Sequence, residues 1–391
     1  AAARGQAKPR AAHALLARMG GSRAGLSTAP ATNGPPGELV GLGRTEMPRN
    51  VAAGTGGRHS RGGQKIAIFG ATGFFGGYVV NELGKHGHNM VVATRGDDVS
   101  WRHLKPYADY GKMVPSYVSI KDEKSIRDTI RGADTVINLM GKHYETKHYF
   151  PTLINCSFED VHINGAELVA RVAREEDVKH LVHVSSAYAK QDSQSRWART
   201  KAVGEERVNK QFPGAVIVRP NTVYGDEDRY LIAYASMAMG LPAIPLVENG
   251  QAKQSPVYIG DVCRAIAAAA VNYTTAGKTF NLSGSQEYTT KQIIEYVMSQ
   301  TGRHKPLVDV PVNIAELTGR LINNFPNPYL TEDYVKLMRE DCPTASPSEA
   351  TFADLGLNEL STFETKAYSF LYRFREGGHF VTPSSAKATH Q

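Results

Sequence analysis

The stretch QKIAIFGATGFFGGYVVNELGKHG, residues 64–87, decides the fold. Ile66, Ile68 and the apolar residues around them read as a short buried strand. Gly70, Gly73 and Gly76 follow in G-x-x-G-x-x-G spacing, and Phe75, Val79, Val80 and Leu83 then recur at helical intervals. That glycine spacing alone says little in a chain with 37 glycines. A strand that runs into a glycine turn and opens a helix, however, is what a dinucleotide cradle requires. Gly70 permits the tight turn, Gly73 lets the backbone approach a pyrophosphate, and Gly76 lets the helix lie close to the sheet. The helix N-terminus then offers unpaired N–H groups and a positive dipole end to the phosphates. Thr72, Phe74 and Phe75 sit in the same loop and are candidate nucleotide contacts.

The next strand, NMVVATRGDD at 89–98, ends at Thr94 and Arg95. An acid near this position would take the ribose hydroxyls of NAD, whereas a basic residue accommodates the 2′-phosphate of NADP. A guanidinium pairs with phosphate by charge-assisted, often bidentate bonds. Arg95 therefore favours NADP(H) over NAD, with Asp97 and Asp98 close enough to reverse the preference. A solvated turn arginine is the plain alternative. Residues 125–141 read as a helix and then a strand whose exit loop, Asn138, Leu139, Met140 and Gly141, is where the adenosine side of such a cofactor meets the protein. Residues 158–178 carry a helical stripe at Val161, Leu168, Val169 and Val172. Further strands follow at 178–186 and in AVIVRPNTVYG at 215–225, whose exit loop includes Pro220 and Val223. Repeated strand–helix alternation predicts an α/β fold, a Rossmann-type doubly wound parallel sheet.

Taken together, these motifs resemble the extended or atypical short-chain dehydrogenase/reductases. The matches are GATGFFG at 70–76, HVSS at 183–186, W-x-x-x-K at 197–201, RPNTVYG at 219–225 and YIGDV at 258–262. VHINGA at 161–166 has His162 where the family usually has asparagine. In the catalytic members a Tyr, a Lys and a Ser act together. The resemblance implies that Lys201 binds the nicotinamide ribose and that Trp197 stands where the proton-transferring tyrosine would be. Indole is a donor only and does not ionise near neutral pH, so the general acid–base help typically worth 10²–10⁴-fold is missing. Ser185 and Ser186 stand near the serine position, although the register could place Ala187 there. The reading is a degenerate site, Trp197, Lys201, Ser185 and Ser186, that keeps its cofactor without turnover. By itself W-x-x-x-K is also what an ordinary amphipathic helix with a core tryptophan looks like. Tyr188 and Tyr224 are the tyrosines that could rescue proton transfer, Tyr224 being expected to pack beneath its loop.

A closer resemblance is to the accessory-subunit branch of that family in mitochondrial respiratory complex I. It rests on FGATGFFGGYVVNELGKHG, VINLMGKHYETK, TKAVGEERV, FPGAVIVRPNTVYGDEDRYL and DLGLNELSTFETKA. It implies a bound NADPH and a structural place in the matrix arm near the membrane junction. It also implies other complex I subunits as partners, on the matrix side of the inner membrane, with peripheral membrane contact. Two alternatives stay open: an active NADP-dependent reductase or epimerase with another proton donor, and an NADP(H)-sensing regulator.

Charge is uneven. The net +7 comes from residues 1–65, which hold ten Lys and Arg against two acids, while the rest of the chain is close to neutral. The basic balance therefore does not point to nucleic acid. Residues 1–37 contain no acid, and HALLARMGGSRAGLS can form a short basic amphipathic helix, the composition of a mitochondrial transit peptide. The expected organisation is a targeting segment or extended arm over 1–63, an NADP-binding domain over 64–225, a C-terminal lobe over 226–380 partly interleaved with it, and a tail over 381–391. No apolar run of about 18 residues is present to span a membrane. Three distant cysteines, Cys156, Cys263 and Cys342, have no metal spacing and read as single thiols. In the lobe, residues 243–262 look like a hairpin leading into a helix. Asp261 is either its N-cap or an organising residue, Thr289 or Thr290 caps a helix at 289–302, and residues 365–380 form either an exposed docking helix or a core-packing one.

Overall fold

The computed structural model describes residues 63–145, 156–323, 328, 330–343 and 349–375; the N-terminal segment up to residue 62 and the tail lie outside them. The first half alternates as the sequence predicts. Strand β1 (Lys65–Phe69) leads into helix α1 (Phe74–Lys85), followed by β2 (Asn89–Thr94), a single turn α2 (Asp98–Trp101), β3 (Met113–Tyr117), α3 (Glu123–Ile130) and β4 (Thr135–Asn138). Then come α4 (Ala166–Glu175), β5 (His180–Val184), α5 (Arg196–Gln211) and β6 (Val216–Pro220). The predicted helix at 158–178 enters through a π-helical segment, Asp160–Gly165, which runs straight into α4.

The chain continues through β7 (Val223–Tyr224), α6 (Leu231–Gly240), β8 (Ile244–Val247), β9 (Lys253–Gln254), β10 (Val257–Tyr258), α7 (Ile259–Val271) and β11 (Thr279–Leu282). It closes with β12 (Tyr288–Thr289), α8 (Thr290–Thr301), β13 (Leu307–Val310), α9 (Val312–Ile322), α10 (Glu332–Leu337) and α11 (Phe363–Leu371). One seven-stranded sheet, in the order β3-β2-β1-β4-β5-β6-β11, is parallel throughout. Its central strands are buried on both faces, which explains their unbroken apolar runs. One face packs on α1 and α7 through Val79, Val80, Leu83, Ile266 and Ala270. The other packs on α3, α4 and α5 through Ile126, Ile130, Val169, Val172 and Val208. A third core, Tyr224, Leu231, Ile244, Ile293 and Phe363 among it, holds α6, α8, α11 and β8 together.

Four expectations for the lobe are corrected or resolved. The hairpin does not form. Glu248, Asn249 and Gly250 all take positive φ, 50°, 55° and 64°, and the chain leaves that turn without folding back on β8. Instead β8 pairs parallel with β13, β9 antiparallel with β12, and β10 parallel with β7. Asp261 is not an N-cap, because α7 begins two residues earlier. Its carboxylate accepts from Ser361 N and Oγ at 2.7 and 3.2 Å and from Arg264 at 2.5 Å, fastening α7 to the segment before α11. Helix α11 packs in the core by Phe363, Ala367, Phe370 and Leu371. Thr289 caps α8 with a full capping box, satisfying two otherwise unpaired N–H groups. Among the described residues no helix is long and apolar enough to cross a membrane.

Candidate functional site

The site is built where β1 and β4 diverge, because strand order reverses there and leaves a crevice at the carboxyl ends of the strands. Gly70 turns the chain out of β1 with φ +81°, and a Cβ on it would lie 3.0 Å from the Leu139 carbonyl carbon. Only glycine allows both the dihedral and the approach. Gly73 N donates to Gly70 O at 3.1 Å and Gly76 N to Gly73 O at 3.0 Å, which sets the start of α1. That N-terminus has no side-chain cap and no acid in its first turn. Its donors and dipole are thus left for an anion.

The opposite wall comes from β4 and its exit loop. Leu139 N donates to Phe69 O at 2.9 Å, and Asn138 Oδ1 accepts from Met140 N at 3.0 Å, which shapes the turn. Gly141 then passes Lys201: a Cβ at 141 would sit 3.1 Å from Lys201 Nζ. Lys201 rises from α5 beneath the end of β5, with Nζ 3.4 Å from Val184 O. Burial pushes its ammonium down to about 8, with Glu205 pulling the other way. Ser185 Oγ is buried and has no hydrogen-bond partner among the described residues, while Ser186 Oγ accepts from Tyr188 N at 3.3 Å. Gly70, Gly73, Phe74, Phe75, Leu139, Gly141, Ser185, Ser186, Trp197, Lys201, Pro220 and Val223 all line one cavity of about 490 Å³. Thr72, Gly76, Arg95, Asn138 and Met140 do not line it. Thr72 and Arg95 are exposed, Arg95 directly after β2, and Gly76 and Asn138 are buried supports.

Trp197 is occupied. Its indole Nε1 donates to Lys142 O at 2.6 Å, and the backbone N of the same Lys142 donates to His162 Nε2 at 3.1 Å. Thr200 Oγ1 donates to Trp197 O at 2.9 Å and so accepts from His162 Nδ1 at 3.0 Å, which fixes the imidazole with its proton on Nδ1. Burial, followed by the charge of Lys201, keeps His162 neutral, well below the usual imidazole range. The two residues that depart from the dehydrogenase pattern, His162 and Trp197, therefore grip both backbone polar groups of Lys142 in the loop after β4. His143 lies roughly parallel to Trp197, ring centroids 6.2 Å apart, and desolvation, aided by Arg229 and Lys201, pushes its imidazole down to about 4.

Neither of the two tyrosines that could rescue proton transfer is placed to do so. Tyr188 OH is committed to Gln254 Oε1 at 2.6 Å, and burial drives its phenol far above the usual range. Tyr224 is fully buried against Phe363 and Tyr258. Sequence reasoning missed Lys142, His143 and the lobe side of the cavity, including Thr222, Gln254, Tyr234, Tyr334 and Met338. Thr222 lies in RPNTVYG, and Lys142 and His143 in VINLMGKHYETK, but neither stretch marks these side chains as site residues; the others come from segments with no motif.

The sequence pattern described as "NAD dependent epimerase/dehydratase family" matches residues 66–283. The chain is 35% identical over 350 residues to the mitochondrial NADH-ubiquinone oxidoreductase 40 kDa subunit of Neurospora crassa, covering 89% of both chains. It is 34% identical over 333 residues to the mitochondrial NADH dehydrogenase [ubiquinone] 1 alpha subcomplex subunit 9 of Rattus norvegicus, covering 83% of this chain and 84% of that one. Among solved structures, the Citrobacter triphenylmethane reductase complexed with NADP(H) superposes with a TM-score of 0.58 at 17% identity, covering 78% of this chain and 99% of that one. That likeness is one of fold.

Proposed function

The chain belongs to the NAD dependent epimerase/dehydratase family and, within it, with the alpha subcomplex subunit 9 and 40 kDa subunit proteins, and from that premise we propose that it is a non-catalytic accessory subunit of mitochondrial respiratory complex I that holds NADP(H). The observation that carries the silent reading is the state of Trp197: it replaces the proton donor, and its single N–H is spent on Lys142 O. The cradle, by contrast, fits a nucleotide. The uncapped α1 N-terminus, the close approach at Gly70 and the orphaned Ser185 hydroxyl are all suited to one. In this reading Gly70, Gly73, Phe74 and Phe75 hold the pyrophosphate. Leu139 and Gly141 border the adenosine side, and Ser185, Lys201, Pro220 and Val223 surround the nicotinamide end. The subunit sits in the matrix arm near the membrane junction, on the matrix side of the inner membrane. Bound nucleotide stabilises the folded chain by mass action.

The test is to denature natively purified protein and identify the released nucleotide by mass spectrometry. One NADPH per chain, unchanged after incubation with carbonyl compounds, is the expected result. Its absence would sink the cofactor reading, and its oxidation would restore an active reductase.

Two further outcomes are expected. If Arg95 carries the 2′-phosphate, Arg95→Glu weakens NADPH binding far more than NADH binding; equal losses remove that assignment. The second concerns pH. Burial pushes the Lys201 ammonium down to about 8, and an anionic nucleotide beside it would raise that value. Binding then takes up a proton above pH 8, so affinity holds below pH 8 and falls as pH rises past it. Rebinding of NADPH to stripped protein from pH 7 to 10 should follow this curve, and Lys201→Met should flatten it. A flat wild-type curve would place Lys201 outside the site.

A further inference from the structure

Lys201 is a buried cation with little to hold its charge. It is 6% exposed, and its one hydrogen bond among the described residues is the long one to Val184 O at 3.4 Å. Burial without an opposite charge drives an ammonium towards its neutral form. The inner face of α5 supplies that charge one turn further on. Glu205 is 5% exposed and stands four residues after Lys201, a spacing that puts Cβ atoms about 5–6 Å apart. Burial depresses the Lys201 ammonium, and the Glu205 carboxylate lifts it.

Glu205 is itself fixed. Its two oxygens accept from Arg219 Nε at 3.2 and 3.1 Å, and one of them accepts from Nη2 at 2.6 Å. Arg219 Nη1 donates to Glu349 at 2.5 Å, and Asn281 donates to the same carboxylate at 3.1 Å. Charges thus alternate from Lys201 through Glu205 and Arg219 to Glu349, across α5, β6 and the chain at residue 349. The order matters, because one acid cannot offset two cations. With Glu349 on Arg219, the charge of Glu205 is left to act on Lys201. The titratable groups that face Lys201 from other elements are His143 in the loop after β4, His162 in the π-helical segment and His183 on β5. Burial keeps all three neutral, so none of them offers it a counter-charge.

We propose that Glu205 is the counter-ion of Lys201, a positioning residue that stays outside the cavity and keeps the ammonium charged for an anion within it. Glu205 does not line the cavity that Lys201 enters. Arg219 and Glu349 set how much of its charge Lys201 feels. The inference deepens the cofactor reading and rests on it for what Lys201 meets in the cleft.

The test is trace acetylation of full-length protein stripped of nucleotide, from pH 6 to 10, with the Lys201 peptide read by mass spectrometry. It reports the titration of Lys201 whether or not a nucleotide binds. Removing the nearby negative charge disfavours the ammonium, so Glu205→Gln should lower the Lys201 midpoint by about one pH unit or more. Glu205→Asp, which keeps the charge, should return most of that shift. A merely structural Glu205 would lower Tm and leave the midpoint in place, and that result overturns the proposal. If Glu205→Gln does not fold, Glu349→Gln should move the midpoint the same way by less, since Glu205 alone then offsets Arg219; an unmoved midpoint there overturns it equally. NADPH rebinding to the same proteins separates the two readings. For a one-unit shift, Glu205→Gln should match wild type at pH 6 and bind about fivefold more weakly at pH 8. A shifted Lys201 midpoint with unaltered NADPH binding would keep the counter-ion and remove Lys201 from the nucleotide site.

Discussion

Gly76→Ala should cost the protein both its bound nucleotide and much of its stability. A Cβ at residue 76 would lie 1.9 Å from Ala71 O and 2.2 Å from Ala71 C, backbone atoms with no rotamer to yield. Relief requires α1 to move away from the glycine turn. That breaks the Gly76 N to Gly73 O bond and displaces the uncapped N–H groups. Val79, Val80 and Leu83, fully buried on the same helix, would lose their packing on α7 and the sheet. The expected loss is about 4 kcal/mol or more, in the range reserved for backbone or core failure, and a fall in Tm on the order of 10 °C. Thermal denaturation together with released-nucleotide stoichiometry checks it. A Gly76→Ala chain with wild-type Tm and a full complement of nucleotide would show that α1 does not need this approach.

The second large effect belongs to Arg219, the first residue of RPNTVYG. Its guanidinium meets Glu205 through Nε and Nη2, the latter at 2.6 Å, and Glu349 through Nη1 at 2.5 Å. Asn281 completes the group by donating to Glu349 at 3.1 Å. Glu205 is 5% exposed, so Arg219→Met would strip a deeply buried carboxylate of the guanidinium that binds it. Breaking such a pair by removing one partner costs about 3–5 kcal/mol. Denaturation of both proteins at pH 7 should show the loss, and Arg219→Lys, which returns a charge but not the planar fork, should recover part of it. A Lys variant no more stable than the Met variant would mean that Arg219 contributes packing and not charge.

How far the sequence carried these conclusions depended on distance along the chain. The 64–87 stretch was legible because strand, turn and helix each carry their own short-range mark. Ile66 and Ile68 give burial, Gly70 a positive φ, and Val79, Val80 and Leu83 a stripe. The lobe was misread at residues 243–262, which looked like a hairpin leading into a helix. Which strand pairs with which is a long-range matter there, settled by β13, β12 and β7 from elsewhere in the chain. Asp261 was misread for the same reason, since its partner Ser361 is 100 residues away. Trp197 could be seen as a wrong residue, but not as an engaged one. Its acceptor, Lys142 O, lies 55 residues upstream, and no local pattern there shows which side chain its carbonyl will meet.

That engagement has a kinetic meaning. To move Lys142 away from the crevice, both bonds and the contact of His143 with Trp197 must be given up. On the cofactor reading, a nucleotide beside this segment would then leave slowly whatever its own affinity, and would report the pool present when it bound more than the pool of a later moment.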